Sequence, residues 1–398
     1  MLTETHIDPI FDDLAKVKEL QSIIYELSPE NYSLTKNYIL SNNFLSNRQM
    51  ITQLISSLSE FSLNRRNTVD LVVNLFSDFS TNIKKYLTES DILNLMPLIK
   101  FKYLVYRLLE INFVSIESII PFALHDMTAF GYFSPEIKAY DLDLFNKYRE
   151  RSKRTRKTVD KFDTIHHISY RKSGSNQDPI SVSIVHDDLE SFLDIISHTE
   201  INLNSKIEIS PYEIFQFFWK PTMIDYAAYY GSLQIYKYLL MNKVGVTWFT
   251  KVYAAAGGNY EIVHLCEENG ELPERLIGMA IQFHRNEIVE YILNQQSYAL
   301  TVECIENSLY NCIYHYNVKY FEYFLTNHIS DIRDKAKMIQ AACYYGRLDF
   351  LKCFHMLLDL QDYKNHSFLH EGAYSGHTDV VKFLLSLGYN INQLNHVC

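Results

Sequence analysis

The sequence predicts an all-α fold, in which a helical region is followed by an α-solenoid of about six divergent helix-pair repeats. Three observations lead to this fold class. Turn breakers are scarce, with 12 glycines and 9 prolines in 398 residues. Apolar residues recur at spacings of three and four over long stretches, and one short motif returns about every 30 residues.

The composition limits the possible partners and location. Hydrophobic residues make up 47% of the chain and charged residues 21%, so the chain can bury a sizeable core. The 37 basic and 47 acidic residues give a net charge of −10, which disfavours a nucleic-acid partner outside a local basic patch. The first residues, MLTETHIDPIFDDL, lack a signal peptide's apolar region, and no stretch is apolar enough to predict a membrane span. The six cysteines form no C-x-x-C pair, which is typical of reduced thiols in the cytosol or nucleus.

The chain divides into three predicted segments. Residues 1–146 form a helical N-terminal region, residues 147–179 a basic and polar linker, and residues 180–398 the repeat domain. The linker begins with KYRERSKRTRK, residues 147–157, which has seven basic residues in eleven. Such a run is typical of a nuclear-localisation signal or an anion-binding patch, and also of a solvated helix end or linker. We favour the solvated segment.

The recurring motif has two small residues, a glycine four positions after the first of them, and two apolar residues four positions further on. The clearest unit has Ala227, Ala228, Gly231, Ile235 and Tyr236. The glycine slot falls at positions 231, 258, 284, 316, 346 and 376. Steps of this length indicate stacked units, each of two short helices joined at the glycine, and no unit can bury its apolar face alone.

The last unit, LHEGAYSGHTDVVKFLLSLGYNIN at residues 369–392, resembles an ankyrin repeat in its leucine–histidine pair, small pair, glycine and terminal G-x-x-x-N. PTMIDYAAYYGSLQIYKYLL (221–240) and GNYEIVHLCEENG (258–270) more closely resemble the large protist (trichomonad-type) family of divergent ankyrin-repeat proteins. The resemblance runs from about residue 180 to 394 and implies an all-helical region before the repeats. Lys251 departs from the pattern, because it stands in an apolar slot.

No group of residues fits an active site. His370 and Glu371, followed by His377, suggest zinc, but a helical metalloprotease site needs its histidines four apart and these are seven apart. Gly257 and Gly258 lack the further glycine and the lysine of a phosphate-binding loop. The sequence therefore predicts no enzyme, no metal and no other cofactor.

Aromatic residues recur in the two positions just before the glycine slot. The resemblance implies that these positions end the first helix of each unit, close to a concave groove. Because aromatic side chains dominate interface hot spots, we take them as candidate protein-binding residues. They are Tyr229, Tyr230, Phe283, Tyr314, Tyr344, Tyr345 and Tyr374. Packing between neighbouring repeats explains the same pattern equally well.

The favoured function is that of a noncatalytic scaffold or adaptor that binds protein partners of unknown identity along the concave face of the solenoid. Two alternatives stay open: an enzyme or nucleotide-dependent regulator with its site in the N-terminal helical region, and nucleic-acid binding through the basic linker. We expect a cytoplasmic protein, or a nuclear one if residues 147–157 act as a localisation signal. The sequence does not predict the oligomeric state.

Overall fold

The structure, a computed structural model, describes residues 8–64, 68–162, 164–213, 220–295, 300–358, 360–363 and 367–392. Within these ranges the chain forms 27 α-helices and no β-strand; one isolated antiparallel bridge joins Lys206 to Thr222. The predicted all-α fold is confirmed. Of the helices described, none has both the length and the apolar character needed to cross a bilayer.

The N-terminal part of the chain contains twelve of these helices. They are α1 (Asp8–Tyr25), α2 (Tyr32–Ser41), α3 (Arg48–Asn64), α4 (Val69–Asp78), α5 (Ser80–Tyr86), α6 (Glu89–Leu95), α7 (Leu98–Glu110), α8 (Ile116–Ala123), α9 (Met127–Tyr132), α10 (Ser134–Tyr140), α11 (Leu142–Arg149) and α12 (Lys153–Val159).

The remaining helices are mostly short, and all of them after α13 come in pairs. They are α13 (His167–Ser173), α14 (Pro179–Val185), α15 (Leu189–His198), α16 (Met223–Tyr230), α17 (Leu233–Met241), α18 (Trp248–Gly257), α19 (Tyr260–Glu268), α20 (Leu276–Gln282), α21 (Asn286–Asn294), α22 (Val302–Tyr314), α23 (Val318–His328), α24 (Lys335–Tyr344), α25 (Leu348–Leu358), α26 (Phe368–Tyr374) and α27 (Thr378–Ser386).

The chain separates into two compact units. Unit 1 combines residues 1–163 with residues 312–398, and unit 2 contains residues 164–311. In unit 2, the first helices of successive pairs stack, α16 on α18 and α18 on α20. In unit 1, α24 stacks on α26 in the same way. This stacking of helix pairs is the α-solenoid that the repeat motif predicts.

The glycine slot marks the turn between the two helices of each pair. At all six predicted positions the residue has a positive φ: Gly231 72°, Gly258 76°, His284 51°, Tyr316 52°, Gly346 69° and Gly376 76°. The predicted register is therefore confirmed even where histidine or tyrosine replaces glycine. Asp187 has the same conformation, with φ of 51°, between α14 and α15. These two helices form a further pair ahead of the six that the motif identifies.

One backbone hydrogen bond recurs in these turns, except in the turn at Gly258. The N–H of the residue after the slot donates to the carbonyl five positions earlier, as in Arg285 to Ala280 at 2.8 Å and His377 to Gly372 at 2.8 Å. This is the 6→1 bond of a Schellman helix end. The side chain after the slot then caps the preceding unit: Asn259 Nδ2 lies 3.1 Å from the Gly231 carbonyl oxygen. The side chain of one repeat thus donates a hydrogen bond to a carbonyl that has no partner within its own helix in the preceding repeat.

Lys251 shows how a charged residue occupies an apolar slot. Its side chain is buried, and its Nζ donates to the carbonyl oxygens of Gly270 at 2.6 Å and Glu271 at 2.9 Å. A third carbonyl, that of Asn269, lies at 3.3 Å. Buried cations are tolerated when hydrogen bonds replace their water, and here the ammonium group fixes the loop after α19.

The predicted linker contains α12 and α13. Ser152 caps α12 by accepting a hydrogen bond from the Thr155 N–H at 3.0 Å, and Thr155 and Val159 are buried. The basic side chains of residues 147–157 are exposed except for the half-buried Arg149. This agrees with a solvated helix surface, while the domain boundaries after residues 146 and 179 stay a prediction.

In unit 1, α3 lies at the centre of the core. Every residue from Gln53 to Leu63 is buried, and the helix packs against α1, α4, α6 and α7. A helix that is buried on all sides lies between layers of structure. Its polar side chains meet the repeats: Ser56 Oγ accepts from Arg347 Nη1 at 2.9 Å, and Gln53 Nε2 donates to Asp349 at 3.3 Å.

Candidate protein-binding surface

The candidate aromatic residues lie at the ends of first helices, as predicted, and they fall into one group in each unit. In unit 2, Tyr229 and Tyr230 end α16, and Phe283 follows α20 directly. In unit 1, the members are Tyr314, which ends α22, Tyr344, which ends α24, Tyr345, which follows it, and Tyr374, which ends α26.

In the unit 2 group, Phe283 is buried, and Tyr229 and Tyr230 are half-buried and packed against neighbouring rings. The Tyr229 ring meets Tyr230 at 5.0 Å and Phe283 at 5.8 Å between ring centroids, and Phe283 is only 2% exposed. The Tyr230 hydroxyl donates to Glu213 at 3.3 Å. Burial raises the pKa of Tyr229 and of Tyr230 above the usual tyrosine range. These contacts favour the packing interpretation for the three residues.

The unit 1 group forms a continuous row of ring contacts, which we call the tyrosine row. The centroid distances are 4.5 Å from Tyr314 to Tyr345, 5.0 Å from Tyr345 to Tyr344, and 6.4 Å from Tyr344 to Tyr374. Exposure rises along the row: Tyr314 and Tyr345 are half-buried, Tyr344 is 39% exposed and Tyr374 is 84% exposed. The row therefore runs from the interior of unit 1 to its surface.

A buried ionic cluster holds the inner end of this row. Lys100 Nζ lies 4.7 Å from the Tyr314 ring centroid and 2.7 Å from each carboxylate oxygen of Glu60. His315 Nδ1 lies 3.1 Å from the same ammonium group, and Arg347 Nη2 lies 3.7 Å from Glu60. Each charged side chain is at most 8% exposed.

The charges of this cluster determine the state of Glu60. Burial works to raise the pKa of Glu60, but Lys100, His315 and Arg347 outweigh it and hold the pKa well below its usual range. Glu60 is therefore ionised at neutral pH. Arg347 also donates from Nε to the Ile313 carbonyl at 3.1 Å, so the end of α22 is fixed beside the cluster. Tyr314 is held from both sides, by its helix and by Lys100.

Polar groups border the exposed end of the row. Gln340, one turn before Tyr344 on α24, donates from Nε2 to Glu371 at 2.7 Å. Glu371 lies on α26, one turn before Tyr374. Lys337 is exposed on the same face of α24, at the three-residue spacing that aligns side chains on a helix. An aromatic centre with a polar border is the usual composition of a protein-binding patch.

Comparison with known families gives two matches. An ankyrin repeat matches residues 364–396, and a domain of unknown function (DUF3447) matches residues 241–326. The first range contains α26 and α27, and the second contains α18 to α22. No curated protein matches the chain. The predicted resemblance is thus confirmed at the level of the ankyrin repeat, which supports a general role in protein–protein interaction.

The residues considered for chemistry do not converge in the part of the chain that the structure describes. No three His, Cys, Asp or Glu side chains there lie close enough to hold a metal ion. Burial, with Arg347 nearby, lowers the pKa of His377 to about 4. Five cysteines are free and buried, and burial raises the pKa of Cys266 to about 11, while Cys398 lies outside the described residues. These groups are packed within the fold.

The ionic cluster was missed by sequence reasoning because its members are far apart. Lys100 follows Glu60 by 40 residues and precedes His315 by 215 residues. The sequence does contain one signal for such a cluster, which is a charged residue on the apolar face of a predicted helix. Charged residues are almost never buried without partners. Glu60 and Lys100 both have this pattern, at buried positions of α3 and α7.

Proposed function

We propose that the protein is a noncatalytic scaffold or adaptor that binds protein partners through its repeats, and that Tyr344 and Tyr374 anchor the contact made by unit 1. The observation that supports this proposal is the gradient of exposure along the tyrosine row. Its outer rings are accessible, and its inner ring is fixed against a buried ionic cluster. The ankyrin match at residues 364–396 includes Tyr374.

A rigid aromatic row suits a binding surface for an energetic reason. Hot-spot residues are enriched in tyrosine, which offers a large contact area with few torsions to restrain. Ring contacts from Tyr314 through Tyr345 to Tyr344 restrain the outer side chains before any partner arrives. Less entropy is then lost on binding, so more of the contact energy appears as affinity.

The resemblance to the trichomonad-type ankyrin proteins and the location of the protein belong to the same proposal. We place the protein in the cytoplasm, with entry into the nucleus if residues 147–157 are recognised as a signal. Support for the latter comes from the exposure of Lys153, Arg154, Arg156 and Lys157.

Photo-cross-linking in cells that express the protein tests this proposal. A benzophenone amino acid replaces Tyr374, and in a control variant it replaces Tyr140, which is 52% exposed at the end of α10. We expect discrete protein adducts from position 374, and we expect that none of these adducts forms from position 140. Addition of Tyr344→Ala to the position 374 variant should abolish them. Separate nuclear and cytoplasmic fractions report where the adducts form. Identical adducts from both positions, or none from position 374, contradict the proposal.

A further inference from the structure

Unit 2 has a cavity at the beginning of three first helices. Its volume is about 280 Å³, and its lining residues are Trp248, Glu274, Arg275, Glu303, Cys304 and Asn307. We propose that this cavity binds an arginine side chain of a basic peptide partner. It is a second surface that does not use the tyrosine row.

Trp248 supplies an aromatic wall. It is the first residue of α18 and is 45% exposed, while the helix from Thr250 to Ala256 is buried. Phe249 follows at 40% exposed, edge-on to Trp248 with a centroid distance of 5.2 Å. The exposed area of α18 is thus concentrated in two adjacent rings at its N-terminal end. Tryptophan is the aromatic side chain that attracts cations most strongly.

Two carboxylates face the same cavity. Glu274 lies just before α20. Its carboxylate accepts a hydrogen bond from Thr301 Oγ1 at 3.2 Å, and its backbone carbonyl contacts Cys304 Sγ at 3.3 Å. Glu303 lies in the first turn of α22. Arg275 is 3.8 Å from Glu303, but both side chains are largely exposed. A loose surface pair of this kind is worth little energy and yields readily to a competing guanidinium group.

The size and chemistry of the cavity favour an arginine side chain over other ligands. The cavity, at about 280 Å³, lies just below the volumes of about 300–1,000 Å³ that are usual for sites of whole small molecules, and it has room for one side chain. A guanidinium group can stack on tryptophan while its N–H groups donate to carboxylates, which the compact ammonium group of lysine does less well. The net charge of −10 also attracts a basic segment. Phe249, which contacts Trp248 and is itself exposed, offers an apolar surface to a residue next to the arginine.

The test uses the full chain and two pools of short fluorescent peptides, which are identical except that arginine in the first is replaced by the neutral isostere citrulline in the second. Fluorescence anisotropy should show binding of the arginine pool that is about tenfold or more tighter, and Trp248→Ala or Glu303→Gln should each weaken it by about tenfold. Trp248→Phe should retain part of the affinity. Circular dichroism confirms that each variant is folded.

Two controls separate this inference from simpler explanations. Glu261→Gln removes an exposed carboxylate of unit 2 that does not line the cavity. We expect it to leave binding unchanged, and a loss as large as that of Glu303→Gln would show diffuse charge attraction and overturn the inference. Equal binding of the two pools, or no effect of Trp248→Ala, also overturns it. Tyr374→Ala should have no effect on these peptides, so failure here leaves the tyrosine row to be judged by its own experiment.

Discussion

Replacement of Glu60 by glutamine is expected to lower the free energy of unfolding of unit 1 by about 3–5 kcal/mol, the usual cost of breaking a buried ion pair on one side. The change leaves Lys100 and Arg347 buried beside a neutral amide, whose single oxygen replaces the two carboxylate oxygens that lie 2.7 Å from Lys100 Nζ. Urea unfolding followed by circular dichroism measures the effect. The control is Arg156→Gln, which removes an exposed partner of Glu150 within unit 1 and should cost about 1 kcal/mol or less. A loss for Glu60→Gln as small as that of the control would contradict the ionic cluster.

The difference in stability between the wild-type protein and Glu60→Gln depends on pH, and the pKa of Glu60 determines the direction of that dependence. The folded-state pKa of Glu60 is depressed below its ordinary value of 4.5, so its contribution to stability is complete above that value and disappears as the pH falls through the folded-state pKa. We therefore expect the wild-type protein to keep its advantage over Glu60→Gln at neutral pH. The advantage should narrow only in strongly acidic solution.

Removal of the N-terminal region is expected to loosen the last repeats. A fragment of residues 164–398 keeps all of unit 2 but exposes the groups of unit 1 that meet α3. Arg347 loses Ser56 and Glu60, Asp349 loses Gln53, and Asp379 loses Arg48, whose Nε lies at 2.6 Å. In α24 to α27, the free energy of opening measured by amide hydrogen exchange should fall by about 3 kcal/mol or more. This corresponds to exchange that is roughly a hundredfold faster.

Helices of unit 2 serve as the internal control in this hydrogen-exchange experiment. The helices α16 to α19 belong to unit 2 and pack within it, so their exchange should stay near that of the full chain. Equal protection of α24 to α27 in fragment and full chain would show that the last repeats are stable without α3.

Local rules explain how much of the fold is predictable. A turn that needs a positive φ selects glycine, and small residues beside it allow helices to approach, so the motif locates the repeats from sequence alone. His284 and Tyr316 adopt the same turn, and the flanking apolar residues are enough to identify them. The pair α14 and α15 escapes the motif because Asp187 occupies its slot and Ser191 stands where the other units have the first of their two apolar residues.

The functional surface is less predictable because exposure depends on what the rest of the chain covers. Tyr229 and Tyr374 belong to one sequence pattern, yet the first is packed against other rings and the second is 84% exposed. The contact of Lys100 with Tyr314 joins α7 to α22, which are far apart in the sequence, and no local pattern encodes it. The repeat motif does not identify Trp248 as a binding residue, because the motif of its unit begins only at Ala254.

The most direct test of the protein-binding account compares partner affinity with melting temperature for two single variants, using a partner identified by cross-linking at position 374. Tyr374→Ala should weaken binding by about 2 kcal/mol, roughly thirtyfold, with almost no change in melting temperature, because its ring is mostly exposed. Tyr229→Ala should do the reverse, since truncating a packed aromatic ring costs about 3–5 kcal/mol of stability. A large fall in melting temperature for Tyr374→Ala, with affinity unchanged in the folded fraction, would contradict the account.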